Sequence, residues 1–370
     1  MPGKPPLYKS KRLHVTVGLL ISAICMYWAI RPILKDPEGK RKIVEAFQHA
    51  DYRTFPLMLA TLFLFYYLKA VRWRLLLLPV GKYRPLRDLF GPIMIGFAAN
   101  NVMPVRLGEF LRCLIFSRKQ QLPFTISLAS VVLERVFDAI TVAAYLAIGL
   151  LFIDGVDPRL EEIATLFAIG GLLAVLAGLA YVIWTDRFLR VFESILGRLK
   201  FIPAGLAQKI LGILTAGAQG LAALKDIRLL LGAIVISITK WGLNAFLIWV
   251  SLWSFGIVVS PLVAIVLMGI VAFAVAVPAS PGFFGVIQAC FTTLPVLTGR
   301  SLDPAAVFAA SIYYHLGQYI PVTLTGLVYF VKSGFDLRQM NTGPASDDGT
   351  DRSRAAGSPL REGEAPAEPR

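Results

Sequence analysis

The sequence predicts an all-α polytopic membrane protein with about six full spans and two re-entrant, broken helical hairpins. Three observations carry that expectation. Hydrophobic residues make up 56% of the chain and charged residues 16%, with a mean hydropathy of +0.67, whereas soluble domains carry about 25% charged residues. Apolar runs near the ~20 residues that cross a ~30 Å hydrocarbon core recur along the chain. Two shorter apolar runs are interrupted, one by Asn100, Asn101 and Pro104 and the other by PASPGFFG at residues 278–285. The basic excess, Lys+Arg 37 against Asp+Glu 23, points to cytoplasmic loops and anionic lipid. Nucleic acid is not an expected partner, because no basic-aromatic pattern accompanies the charge.

Residues 1–12 are a basic, cytoplasmic N-terminus carrying Lys4, Lys9, Lys11 and Arg12. The first span, residues 13–30, has no small-residue cleavage site after it and is a retained helix. Residues 31–53 mix both signs of charge and predict a short amphipathic helix on the outer face. Residues 55–71 form the second span, which delivers the chain into Arg72, Arg74, Lys82, Arg84 and Arg87, a basic loop by the positive-inside rule. Residues 89–103 are too short to cross and are expected to dip in and return. The third span covers 125–153 and the fourth 163–184, followed by a cytoplasmic amphipathic segment at 185–228. Residues 229–255 cross again, 261–277 and 286–297 form a second hairpin, and 304–331 are the last span. The transmembrane domain is thus 13–331, and the Pro-, Gly-, Ser- and charge-rich residues 341–370 form a disordered tail. Each half follows span, span, broken hairpin, span, in opposite senses, a plan compatible with the inverted repeats of transporters.

Charge in the first hairpin and third span marks the candidate site. One ionisable side chain at membrane depth costs roughly 2.5 to 3.5 kcal/mol, so several together must pair or line a polar cavity. Arg106, Glu109 and Arg112 are spaced three apart, so on a helix Glu109 reaches either arginine and positive charge remains over. Arginine forks suit phosphate, and the candidate substrate is an anionic head group. Glu134 and Asp138 share a face of the third span, and Arg135 leaves one of these carboxylates free to meet Arg106 or Arg112. Asn101 sits at the tip of the first hairpin, with Pro104 and Gly108 as its backbone breakers. In the second hairpin Pro281, Gly282 and Gly285 take that role, and Gln288, His315 and Gln318 are polar groups at helical spacing. Each position has a plainer reading: juxtamembrane arginines, a buried packing network, a kinked helix, a hydrogen-bonded histidine. No nucleophile-base pair, P-loop, dinucleotide fingerprint or metal spacing occurs, and Cys25, Cys113 and Cys290 lack CxxC spacing. Neither catalysis nor a cofactor is expected.

NNVMPVRLGEFLR, VVLERVFD, PASPGFFGVIQ and YYHLGQYIPVTLTGLVYF, in that order, resemble the flippase-like family named for the transmembrane region of lysylphosphatidylglycerol synthase. The resemblance implies a multi-pass protein of the bacterial inner membrane, both termini cytoplasmic, that moves lipid between leaflets or assists that movement. It places one family motif on Asn101, Pro104, Arg106, Gly108, Glu109 and Arg112, and a second on Glu134, Arg135 and Asp138. This chain has Phe283, Gln288 and His315 where many members have glycine, glutamate and arginine, so the substrate does not transfer. The synthase's soluble aminoacyl-transfer domain has no counterpart after residue 331. The leading expectation is a translocator of an anionic phospholipid or a polyprenyl-phosphate-linked lipid. A membrane glycosyltransferase or its accessory, and a non-transporting scaffold, are the alternatives; a homodimer is an open possibility for the assembly.

Overall fold

The computed structural model describes residues 11–103, 107–153, 170, 226–276 and 281–334, with side chains from residue 16 onward. Pro104, Arg106, the expected fourth span at 163–184 apart from residue 170, the segment 185–225 and the tail at 341–370 lie outside the described residues.

All regular structure among the described residues is helical. The elements are α1 (Lys11–Lys35), α2 (Gly39–Gln48), α3 (Phe55–Leu77), α4 (Phe90–Val102), α5 (Gly108–Gln120), α6 (Phe124–Leu151), α7 (Ile227–Ser254), α8 (Pro261–Ala274), α9 (Val286–Phe291), α10 (Leu294–Thr298) and α11 (Pro304–Ser333). Five of them, α1, α3, α6, α7 and α11, have 25, 23, 28, 28 and 30 residues. At 1.5 Å per residue the shortest is about 34 Å long and spans a ~30 Å core. Helices α4 and α5 have 13 residues each and α8 has 14, about 20 Å, too short to cross. By length and apolarity alone, residues Thr16–Lys35, Tyr52–Leu77, Ile227–Ser254 and Pro281–Thr298 qualify as spans. The last of these is three short helical pieces and not one span. Helix α6 carries Glu134, Arg135 and Asp138, and it enters the bundle because those charges are paired.

Local chemistry explains the boundaries. Asp226, Ser260 and Asp303 accept hydrogen bonds from the backbone N–H of Arg228, Val263 and Ala305 at the starts of α7, α8 and α11, satisfying first-turn donors that lack intrahelical partners. Pro261 and Pro304 follow their caps, where the missing N–H costs nothing. The short helix expected within residues 31–53 is α2. Its Arg41 lies between Glu38 (3.1 Å) and Glu45 (3.0 Å), and Lys42 reaches Asp36 at 2.6 Å. That hydrogen bond holds the Asp36 carboxyl below the usual carboxylate range and the Lys42 ammonium above the usual lysine value.

Two expected boundaries are corrected. Helix α3 runs six residues past 71, so Arg72 and Arg74 belong to it and not to a basic loop; Arg72 is fully buried and its partners, described below, offset the cost of that burial. The second arm of the second hairpin is two pieces, α9 and α10, separated by Thr292 and Thr293.

Helices in lipid gain nothing from merely removing apolar surface from water, so close backbone approach and polar contacts hold the bundle. Helix α3 packs on α7, α4 on α5 and α11, α6 on α8, and α1 on α9. The α4–α5 hairpin closes through Gly108: a Cβ there would collide with the Gly96 carbonyl, and its N–H donates to Asn100 Oδ1 at 2.8 Å. The face of α1 away from the bundle, with Leu19, Leu20, Ile24, Tyr27 and Trp28, is exposed and apolar, as a lipid-facing surface requires. At one end of the bundle Thr54 Oγ1 lies 2.6 Å from Ser254 Oγ and 3.1 Å from the Tyr313 hydroxyl, joining α3, α7 and α11. Because Gly108 sits against backbone that cannot yield, Gly108→Val is expected to lower stability by about 3 kcal/mol, the upper end of overpacking. Denaturant unfolding in mixed micelles measures this; wild-type stability in the variant would refute the close crossing.

Candidate functional site

Four helices bring their charges to one place. Helix α3 supplies Lys69 and Arg72, α5 Glu109 and Arg112, α6 Glu134, Arg135 and Asp138, and α7 Lys240. Glu134 is fully buried and pairs with Arg112, with Arg72 at 3.5 Å and with Lys69 at 3.8 Å. Asp138 Oδ1 accepts from Arg72 Nη1 at 2.8 Å, from Trp241 Nε1 at 3.0 Å, and pairs with Lys240 Nζ at 2.9 Å. Arg72 Nη1 also donates to Ser237 Oγ at 2.8 Å, and Ser237 donates to the Ala233 carbonyl at 2.7 Å. At the edge, Arg135 reaches Glu109 at 3.1 Å and Asp138 at 3.5 Å, with its side chain 44% exposed and that of Glu109 28%.

Aromatic rings enclose this cluster. The Arg112 guanidinium lies 4.3 Å from the Trp73 ring centroid, Lys69 Nζ 5.1 Å from Phe97, and Lys240 Nζ 4.8 Å from Phe65 and 4.1 Å from Trp241. Ring faces attract cations most strongly where water is absent. The Trp73 indole is held in turn by its N–H on Ser130 Oγ at 2.8 Å. Among the described residues the cluster holds five basic side chains against three carboxylates, and Nε of both Arg72 and Arg112, like Glu134 Oε1 and Asp138 Oδ2, has no hydrogen-bond partner among them. It is a buried ionic network with more basic than acidic side chains and with both donors and acceptors unused.

A second polar centre joins the second hairpin to α11. The Gly285 N–H donates to Gln288 Oε1 at 2.7 Å, Gln288 Nε2 lies 3.1 Å from His315 Nδ1, and His315 Nε2 lies 2.7 Å from the Gly282 carbonyl. Because the first donor is a backbone N–H, the Gln288 amide orientation follows, and its Nε2 must donate to Nδ1. His315 therefore carries its proton on Nε2 and gives it to the Gly282 carbonyl, so the ring is neutral. Gly282 and Gly285 have φ of +73° and +86°, and Phe283, between them, is also left-handed at +60°. That conformation is ordinary for glycine and strained by about 1–3 kcal/mol for phenylalanine. A Cβ on Gly285 would collide with the Ser22 carbonyl of α1.

Between these centres lies a cavity of about 200 Å³. The first hairpin contributes Phe97 and Asn101 to its lining, and the second Ile287 and Phe283. Helices α3, α7, α8 and α11 complete it.

Of the sequence-derived site residues, Glu109, Arg112, Glu134, Arg135 and Asp138 come together in the ionic cluster. Asn101, His315 and Gln318 line the cavity, while Gln288 stands behind His315 and is 1% exposed. Asn101 Nδ2 donates to Thr323 Oγ1 at 2.9 Å. Gly108, Pro281, Gly282 and Gly285 shape the hairpins; Arg106 and Pro104 lie outside the described residues. Sequence reasoning missed Lys69, Lys240, Ser237 and the aromatic shell, and placed Arg72 in a loop. The signal was present: FYYLKAVRW and ISITKWGLN each set a lone lysine inside an apolar run, which at membrane depth demands a partner.

Glu134→Gln leaves Arg112, Arg72 and Lys69 buried beside a neutral amide, and a loss of about 3–5 kcal/mol is expected. Glu109→Gln, at the half-exposed rim, should cost no more than about 1 kcal/mol. Unfolding in mixed micelles separates the two; equal losses would contradict the network's hierarchy. Gln288→Leu should free the His315 tautomer: nitrogen NMR of labelled histidine is expected to show a single Nε2–H ring in the wild type and a mixture in the variant. A mixture in the wild type would contradict the hydrogen-bond chain.

The comparisons with known proteins follow the same extent. Over 83% of this chain, the sequence is 25% identical to glycosyltransferase AglD of Haloferax volcanii, and the match spans only 52%, about half, of the length of that protein. It is 26% identical to a UPF0104 membrane protein of Methanothermobacter thermautotrophicus over 71% of this chain and 79% of that one. A UPF0104 membrane protein of Methanocaldococcus jannaschii is 28% identical over 62% of this chain and 92% of its own length. No solved structure matches. The family model for the lysylphosphatidylglycerol synthase TM region matches residues 15–326, which takes in both hairpins, the ionic cluster and the cavity, and the chain belongs to that family.

Proposed function

We propose that this protein is a flippase-like lipid translocator of the bacterial inner membrane, with both termini cytoplasmic, and that its cargo is a lipid bearing an anionic phosphate. One observation carries the reading: the cavity is bounded by both broken hairpins and backed by the positively charged cluster. Short, discontinuous helices lining a mid-bundle cavity are the usual device for exposing one site to two sides in turn. The cluster's surplus of basic side chains over carboxylates attracts phosphate. Half-exposed Arg135, with Arg106 in the segment between α4 and α5, makes the contact, while buried Lys69, Arg72, Arg112 and Lys240 supply the field. Glu109, Glu134 and Asp138 limit that field so the lipid can leave. The protein moves lipid and does not transform it. The likeness to AglD, whose name assigns it glycosyl transfer, supports a second reading as a glycosyltransferase or its accessory; metal-dependent turnover of a lipid-linked or nucleotide sugar would favour it.

The test is movement of fluorescent phosphatidylglycerol and phosphatidylcholine in proteoliposomes, wild type against Arg106→Ala and Arg135→Ala. Transport selective for the anionic lipid, reduced about tenfold by loss of ~1.4 kcal/mol of stabilisation in either variant, is expected. Equal movement in wild type, variants and empty vesicles would overturn the reading for these lipids.

A further inference from the structure

The cavity's own chemistry differs from that of the cluster behind it. Among the described residues its lining holds no Asp, Glu, Lys or Arg; it is aromatic rings, amides and an aliphatic side formed by Val271, Val275, Ile287 and Val322, with His315 held neutral by the hydrogen bonds described above. Asn101 uses Nδ2 on Thr323, whereas Asn244 accepts from the Tyr314 hydroxyl at 3.2 Å; among the described residues this leaves the Asn101 carbonyl oxygen to accept and the Asn244 N–H pair to donate. Hydroxyl groups, which donate and accept at once, complement such a pair. Rings such as Trp241 and Tyr319 offer flat apolar surface to the C–H faces of a polyol. About 200 Å³ corresponds to roughly seven waters at ~30 Å³ each, room for a glycerol or one sugar ring.

Aromatic linings elsewhere capture ammonium groups, but here Phe97, Phe65 and Trp241 already hold Lys69 and Lys240. A cationic head group in the cavity would compete with those two lysines for the same rings, and no carboxylate among the described lining residues would hold it.

We infer that the cavity is a head-group site for a neutral polyhydroxylated group, glycerol or a single sugar, attached to the phosphate of the transported lipid, and that it rejects cationic head groups. This rests on the translocator reading for the presence of a lipid phosphate, and it adds the class of head group. The phosphate faces the cluster on the side of Tyr66, Phe65 and Phe97, which line the cavity, the last two carrying Lys240 and Lys69.

Native mass spectrometry of the detergent-purified full chain tests it with phosphatidylglycerol, phosphatidic acid, phosphatidylethanolamine, a polyprenyl phosphate and its monosaccharide derivative. Phosphatidylglycerol or the glycosylated lipid should bind about tenfold tighter, ~1.4 kcal/mol, than the bare phosphate of the same tail and than phosphatidylethanolamine. Which of the two shows the margin identifies glycerol or sugar. Asn244→Leu and Asn101→Leu should each bring the margin close to one. Phosphatidylethanolamine binding as tightly as phosphatidylglycerol and the glycosylated lipid would overturn the inference on wild-type protein alone, and so would a margin untouched in either folded variant. Transport in vesicles without this margin would sink the head-group assignment and leave the translocator; a margin without transport would do the reverse.

Discussion

Charge that enters a low-dielectric bundle must find its counter-charge there, and this requirement organises the molecule. Glu134 and Asp138 on one helix draw Arg72 and Lys69 from α3, Arg112 from α5 and Lys240 from α7. Apolar side chains could pack the same helices at equal or lower cost, since buried ion pairs seldom add net stability over well-packed hydrophobic side chains. What the ionic arrangement adds is register. A helix rotated by one residue would leave a guanidinium or carboxylate unpaired, at several kcal/mol each, so misaligned bundles are strongly disfavoured. A bundle with more buried basic side chains than carboxylates, and with guanidinium nitrogens lacking hydrogen bonds among the described residues, keeps polar groups that packing alone does not require.

The two hairpins meet the same need differently. Each is locked to the long helix that follows it: the first by Arg112 on Glu134, the second by Gln288 on His315. The first lock is ionic, close to a cluster that tolerates little rearrangement. The second is a chain of neutral hydrogen bonds that ends on backbone at Gly282, next to a phenylalanine in a left-handed conformation. Neutral hydrogen bonds contribute about 1 kcal/mol net each, well below the cost of separating a buried ion pair. In a translocator the second hairpin is therefore the element that yields, and the first is the fixed wall.

Much of this was legible in the sequence, for identifiable reasons. Asn100, Asn101 and Pro104 interrupt an apolar run too short to cross, and α4 ends at Val102; PASPGFFG interrupts another, and Gly282 and Gly285 take the left-handed angles that only glycine adopts freely. Glu134, Arg135 and Asp138 stood out because acidic residues are rare inside apolar segments. Arg72 was misplaced because the positive-inside rule counts a basic residue at the end of an apolar run as loop. Its counter-ion, Asp138, is 66 residues away in the chain, and only the fold reveals that the helix can continue through it. Lys69 and Lys240 were legible as isolated charges, but a lysine's partners come from other helices and no spacing rule within one helix finds them. The cavity is contributed by six helices, α3, α4, α7, α8, α9 and α11, and by the turn at 281–283, and leaves no local pattern at all.

The placement of the cations behind aromatic rings has a further physical consequence for the carrier we propose. A site that releases its cargo on the far side must bind favourably enough to load and weakly enough to unload. At an effective dielectric of about 20, a cation 4 Å from a phosphate contributes about 4 kcal/mol, and at twice that distance about 2 kcal/mol. Lys69 and Lys240 sit 4.1 to 5.1 Å from the centroids of rings that line the cavity, so cargo in contact with those rings lies in the weaker regime. Several cations acting through a ring wall attract an anion from the side without trapping it, and the uncharged amides in the cavity are left to decide which head group fits.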